Sequence, residues 1–119
     1  MGQSYRDLIV WQKAMEMVTE VYRLTRSFPK EEEYGLTSQL RRAAVSVPSN
    51  IAEGHGRLTK GEFKQFLGYS RGSLLETETL VLTAMNLSYL TDQQMRRILN
   101  LTAEVGRTLN GLLPSITDI

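Results

Sequence analysis

The chain has 119 residues, 41% hydrophobic and 23% charged, with a formal net charge of +1. That length supports one core and one domain over residues 1–119, and the balance of apolar and charged residues excludes intrinsic disorder. The absence of cysteine excludes disulfide staples and thiolate metal centres, and a charge so near zero means that any polyanion must be held by a local patch.

The opening MGQSYRDLIVW lacks the charged start, apolar run and cleavage site of a signal peptide. No apolar run approaches the roughly 18 residues of a membrane span. A cytoplasmic protein without a membrane partner is expected.

The first helix is predicted over Leu8 to Arg26. Leu8, Trp11, Met15, Val18, Tyr22 and Thr25 recur at spacings of three and four, as do Val10, Ala14, Met17, Val21 and Leu24 one position back. Two adjacent stripes give an apolar face wider than a surface helix needs. Phe28-Pro29 ends the helix, because the residue before proline avoids helical geometry. A short turn over Ser27 to Glu33 is expected before the next helix starts near Leu36.

The second helix carries Leu36, Leu40, Ala43, Val47 and Ile51 on its apolar stripe. Pro48 removes one backbone donor and crowds the carbonyl of Ala44, yet helical spacing continues through Glu53. The reading is a helix kinked at Pro48 and ending near Gly54-His55-Gly56. Two short helices broken at Pro48 are the alternative. Thr59 and Glu62 then stand at capping-box spacing and open a third helix to Leu87. Its stripe is Phe63, Leu67, Ser70, Leu74, Thr77, Val81 and Ala84, with Leu75, Leu82 and Met85 on another face. Thr91 and Gln94 repeat the capping box. The fourth helix carries Met95, Ile98, Thr102, Val105, Leu109 and Leu112 and is stopped by Pro114.

Two of the links are short, which favours antiparallel neighbours. The predicted fold is all-α, an antiparallel up-down four-helix bundle. The wide apolar faces of helices one and three point to self-association; a broad core in a monomer is the competing reading.

The unusual residues cluster in SVPSNIAEGHGRLTKGEF, Ser46 to Phe63. A metal site is not expected there, because Glu53 and the single histidine, His55, are two apart and diverge on a helix. A catalytic site is not expected either, since no spacing joins Glu53, His55, Ser70 and Ser73 into an acid, base and nucleophile. The chain therefore reads as a non-enzyme without cofactor. A structural network fits better. Ser46, Asn50 and Glu53 share one helical face, and Ser73 and Glu76 share another. Polar groups at a core edge need partners, and these could meet across the second and third helices, with Arg42, Arg57 or Arg71 answering the carboxylates. Solvated groups near a loop are the alternative.

Arg57, Lys60, Lys64 and Arg71 lie on or just before helix three, the last three on one face with Gly68 between. A row of cations beside open backbone can hold RNA or DNA phosphates without reading sequence. A solvated charged face is the simpler reading on sequence alone.

These residues also carry a likeness. Asn50-Ile51-Ala52-Glu53-Gly54 followed by Gly56-Arg57 resembles the signature of the bacterial four-helix-bundle proteins encoded in 23S ribosomal RNA intervening sequences. Leu8-Ile9-Val10-Trp11-Gln12-Lys13-Ala14 resembles the opening helix of that family. Phe28-Pro29, Tyr34-Gly35-Leu36 and Gln39-Leu40-Arg41-Arg42-Ala43 resemble its second helix. Phe63, Phe66-Leu67, Gly72-Ser73 and Glu76 resemble its third. Ser70 departs from the pattern, where alanine is expected. The resemblance implies a homopentameric barrel of four-helix bundles. It also implies kinship with the accessory variability proteins of diversity-generating retroelements, which bind a reverse transcriptase and nucleic acid. On that footing the chain is expected to be an oligomeric scaffold that binds RNA or DNA, or alternatively an adaptor for a protein such as a reverse transcriptase.

Overall fold

The computed structural model describes residues 4–116, so the two ends of the domain expected over 1–119, residues 1–3 and 117–119, lie outside the described residues. Every regular element among the described residues is helical: α1 (Ile9–Thr25), α2 (Leu36–His55), α3 (Lys60–Asn86) and α4 (Asp92–Leu112), with single 3-10 turns at Tyr5–Asp7, Lys30–Glu32 and Leu113–Ile116. The four helices form a long bundle of 48 × 24 × 21 Å. α2 runs unbroken through Pro48, so the alternative of two short helices is set aside. Pro48 is itself buried. Its ring serves as packing surface, which offsets the backbone hydrogen bond it removes.

The core is drawn from one stripe on each helix. On α1 the buried stripe is Val10, Ala14, Met17, Val21 and Leu24. The second α1 stripe is left at the margin except at its end, where Thr25 is buried: Leu8, Trp11 and Val18 are partly covered, while Met15 and Tyr22 remain exposed. α2 buries Leu36, Leu40, Ala43, Val47 and Ile51 together with Ala44 and Gly54. α3 buries Leu67, Ser70, Leu74, Thr77, Val81 and Ala84, and α4 buries Ile98, Thr102, Val105 and Leu109. Threonine is tolerated in these stripes because its hydroxyl bonds within the helix, as Thr77 does to Ser73 O at 2.8 Å and Thr102 to Leu99 O at 3.0 Å. Among the described residues no buried side-chain nitrogen or oxygen lacks a partner.

Cross-helix contacts fix the pairing. Ser46 meets Ser73, and Ser70 meets Val47. On the other side of the bundle Lys13 meets Glu104 and Glu20 meets Arg97. In each pair the residue number falls on one helix as it rises on the other, so α2 and α3 run in opposite directions, and so do α1 and α4.

The helix ends obey local chemistry. Thr91 accepts the Gln94 N–H at 3.1 Å and Gln94 Oε1 accepts the Thr91 N–H at 2.9 Å, a complete capping box. At Thr59 only half of the expected box forms. The Thr59 hydroxyl accepts the Glu62 N–H at 3.1 Å, but the Glu62 carboxylate meets that same hydroxyl at 3.2 Å rather than the Thr59 N–H. α3 closes on Ser88 at φ 62°, a left-handed position where a non-glycine residue is uncommon. Tyr89 N–H returns to Ala84 O at 2.9 Å and satisfies a last-turn carbonyl.

Glu32 joins two connections. Its Oε1 accepts the Leu36 N–H at 3.1 Å, at the start of α2, and its Oε2 accepts the Tyr89 O–H at 2.9 Å, between α3 and α4. The hydrogen bond to Glu32, then desolvation, then the charges of Glu32 and Glu31 raise the Tyr89 pKa above that of a free phenol. Only the neutral phenol donates. The contribution of this bond is therefore complete below the unfolded tyrosine pKa of about 10 and is lost as pH rises through the higher folded value. Denaturant midpoints measured from about pH 8 to about pH 11 should fall less steeply in Tyr89→Phe than in the parent. Parallel curves would show that the bond contributes nothing to stability.

Candidate functional site

The end of α2 and the start of α3 meet in a tight contact at Gly54. A Cβ placed on Gly54 would stand 2.6 Å from Phe66 Cβ, 3.1 Å from Phe63 Cδ1 and 3.3 Å from Phe63 O. Only a residue without a side chain lets the two helices meet there. His55, next in the chain, lies edge-on to Phe63 with 5.6 Å between ring centroids, so the lone histidine serves as packing.

Further along the pair, hydroxyls bridge the helices. Ser46 and Ser73 share a hydrogen bond of 2.8 Å, and Asn50 Nδ2 donates to Ser46 O at 2.9 Å and to Ser46 Oγ at 3.0 Å. Ser70, fully buried, donates to Val47 O at 2.9 Å. The serine that departs from the family pattern thus acts as a second polar tie between α2 and α3. Glu53 and Glu76 are not part of this network. Glu53 is exposed and bonds Arg57 at 3.1 Å one turn on, and Glu76 stands in solvent.

The four cations separate into two kinds. Arg57 is committed locally, to Glu53 and to the face of Phe66, with 4.5 Å from its guanidinium carbon to the ring centroid. Lys60, Lys64 and Arg71 are exposed, and none enters a salt bridge among the described residues. Gly68 and Gly72 lie on the same helix with nothing within 4 Å of a built Cβ. The α3 surface therefore offers three unpaired cations beside bare backbone, and Arg57 flanks them as an anchored charge.

One residue escaped the sequence reading. Glu20 is only 5% exposed, and it pairs with Arg23 on its own helix and with Arg97 of α4 at 3.2 Å. The signal was present: Glu20 falls three after Met17 and four before Leu24, inside the buried stripe. A carboxylate at such a position requires a cation, which periodicity cannot identify across the chain. Among the described residues no group of three or more His, Cys, Asp or Glu side chains could hold a metal ion.

Residues 6–111 match the family model described as 23S rRNA-intervening sequence protein. The chain is also similar to a crystal structure of a protein of unknown function from the S23 ribosomal protein family of Bacteroides thetaiotaomicron. The TM-score is 0.82 at 22% identity, over 88% of this chain and 98% of that one. At that identity the likeness concerns the fold. No curated protein matches the chain.

The α2–α3 contact yields a stability test. Gly54→Ala forces a methyl into rigid backbone-proximal atoms, an overpacking cost of about 1–3 kcal/mol that exceeds the helix-propensity gain of up to ~1 kcal/mol. Gly111→Ala, where nothing lies within 4 Å, should show only that gain. Ser70→Ala should cost about 1 kcal/mol. Urea unfolding of the three variants checks the order. A Gly54→Ala protein as stable as its parent would mean that the helices are free to separate at this point.

Proposed function

The chain belongs to the 23S rRNA-intervening sequence protein family, and from that premise we propose that it works as a non-enzymatic, cytoplasmic, self-associating helical-bundle scaffold that binds RNA or DNA backbone. Most support comes from the apolar surface that one chain leaves uncovered. Leu75 and Leu82 of α3 are 56% and 47% exposed, one heptad apart, beside the open Gly68 and Gly72. A separate apolar hollow of about 320 Å³ opens between α1 and α2, lined by Trp11, Met15, Val18, Val45, Pro48 and Ala52 among others. A ridge on one helix and a hollow on another, in the same chain, suit a heterologous contact that closes into a ring. The homopentamer implied by the family resemblance is one such ring. Repetition of Lys60, Lys64 and Arg71 around it converts a weak cationic stripe into a multivalent surface.

Among the described residues no helix is long and apolar enough to cross a membrane, which accords with a scaffold that works away from lipid. The adaptor reading, with a protein such as a reverse transcriptase as partner, rests on the same exposed leucines. It differs in that binding would survive moderate salt and fail when apolar surface is removed.

Light scattering separates these. The parent should run as an oligomer, and Leu75→Glu with Leu82→Glu should reduce it to monomer without unfolding. A monomeric parent would refute the scaffold. Gly72→Ala adds a second readout: on an open face it stabilises by up to ~1 kcal/mol, whereas in a packed interface it weakens assembly. For nucleic acid, affinity for a mixed RNA pool should fall steeply between two salt concentrations. Lys60→Ala with Lys64→Ala should lower the slope of log affinity against log salt by about 1 for each phosphate no longer neutralised. An oligomer indifferent to RNA moves the weight to the adaptor.

A further inference from the structure

At the opposite end of α2 from Gly54, roughly 25 Å away by helical rise, lies a hollow that neither the scaffold nor the α3 cations use. It occupies about 260 Å³ between the end of α1, the connection that follows and the first turns of α2. Three cations line it, Arg26, Lys30 and Arg41, and none of them enters a salt bridge among the described residues. Arg41 is held in place. Its Nε donates to Thr25 Oγ1 at 2.8 Å, and its guanidinium carbon stands 4.5 Å from the Tyr22 ring centroid. Thr25 is buried and spends its own hydroxyl proton on Val21 O at 2.8 Å, so it can only accept from Arg41. The terminal guanidinium nitrogens are left without a protein partner among the described residues.

Thr37 supplies a second kind of donor. It lines the hollow and is 7% exposed, and its hydroxyl has no hydrogen-bond partner among the described residues. Since no sealed side-chain oxygen among those residues lacks a partner, that hydroxyl keeps access to solvent at a residue that lines the hollow. Thr37 is also the second residue of a 20-residue helix whose N-cap, Gly35, gives no side-chain cap, and its N–H is unpaired among the described residues. The positive end of α2 adds to the field there. Three carboxylates stand in the connection, and the exposed Glu31 does not line the hollow. Glu32 takes the Leu36 N–H and the Tyr89 O–H and does not line the hollow. Glu33 does line it, and a hydrogen bond to Glu33 raises the Tyr34 pKa. Three cations against one carboxylate leave the hollow positive.

We propose that this hollow binds a phosphomonoester, with the Thr37 hydroxyl and N–H, the Arg41 fork and the Lys30 ammonium converging on its oxygens. A phosphomonoester suits the set because it carries about −1.5 to −2 charge near neutral pH and offers three acceptor oxygens to donors arriving from different directions. The source is either a small phosphorylated molecule or the phosphorylated end of an oligonucleotide. The site is independent of self-association and of Lys60, Lys64 and Arg71.

Amide NMR of the full chain, titrated with inorganic phosphate at ionic strength held constant with chloride, tests this. The Thr37 amide should move saturably. Lys30→Ala and Thr37→Val should each weaken binding about tenfold, while Arg107→Ala, which removes an exposed cation of α4, leaves it unchanged. Lys30 is exposed, so its variant keeps the fold. A Thr37 signal that does not move, or that moves equally in Lys30→Ala, overturns the proposal. Glycerol phosphate and a trinucleotide with and without a 5′-phosphate then identify the source. Stronger binding of the phosphorylated trinucleotide than of glycerol phosphate assigns the nucleic-acid end, and the reverse assigns the small phosphomonoester.

Discussion

The missing side chain at Gly54 sets the spacing between α2 and α3, and much of the molecule depends on that spacing. With the backbones this close, short hydroxyl side chains can reach across. Ser46 meets Ser73, and Ser70 meets the Val47 carbonyl. Longer side chains at these positions would hold the helices apart and leave the same polar groups without partners. Close approach and polar satisfaction therefore enforce one another. Asn50 completes the set from within α2, bonding the Ser46 carbonyl and hydroxyl that the crossing has brought into use.

The opposite side of the bundle is joined by different chemistry. α1 and α4 meet through charges: a buried Glu20 between Arg23 and Arg97, and Lys13 with Glu104 at 2.8 Å. Those arginines are largely exposed while the carboxylate is not. The pair thus costs less to desolvate than two buried ions would, and it specifies which face of α4 turns inward. A bundle with one contact-packed pair and one ion-paired pair has a single preferred arrangement of four similar helices. The apolar surfaces on α3 and between α1 and α2 are left uncovered by both kinds of joint.

Charge is likewise divided by geometry. Of the cations on and just before α3, Arg57 is spent on Glu53 and the Phe66 ring, while Lys60, Lys64 and Arg71 are exposed and enter no salt bridge among the described residues. At the far end of α2, Arg41 is fixed by Thr25 and Tyr22 yet keeps its outer nitrogens. Nothing about residue type separates these arginines. Their neighbours do.

The sequence by itself determined the helices. Periodicity of three and four, Pro29 and Pro114, and the threonines at 59 and 91 placed each element to within a residue or two of its observed ends, because these signals act over one turn of chain. It also pointed to Ser46, Asn50 and Ser73 as polar residues at the edge of an apolar stripe that need partners, but it grouped Glu53 and Glu76 with them and read Gly54 only as a helix end. What only the tertiary structure decided involves partners far apart in the chain. Glu20 finds Arg97, Ser70 finds the carbonyl of Val47, and Arg41, Lys30 and Thr37 converge on one hollow. The incomplete cap at Thr59 belongs here too, since Glu62 turns to the hydroxyl instead of the backbone. Local rules fix the conformation of a turn, but they carry no information about which distant side chain will lie across the gap. That is set when four amphipathic faces choose one mutual rotation.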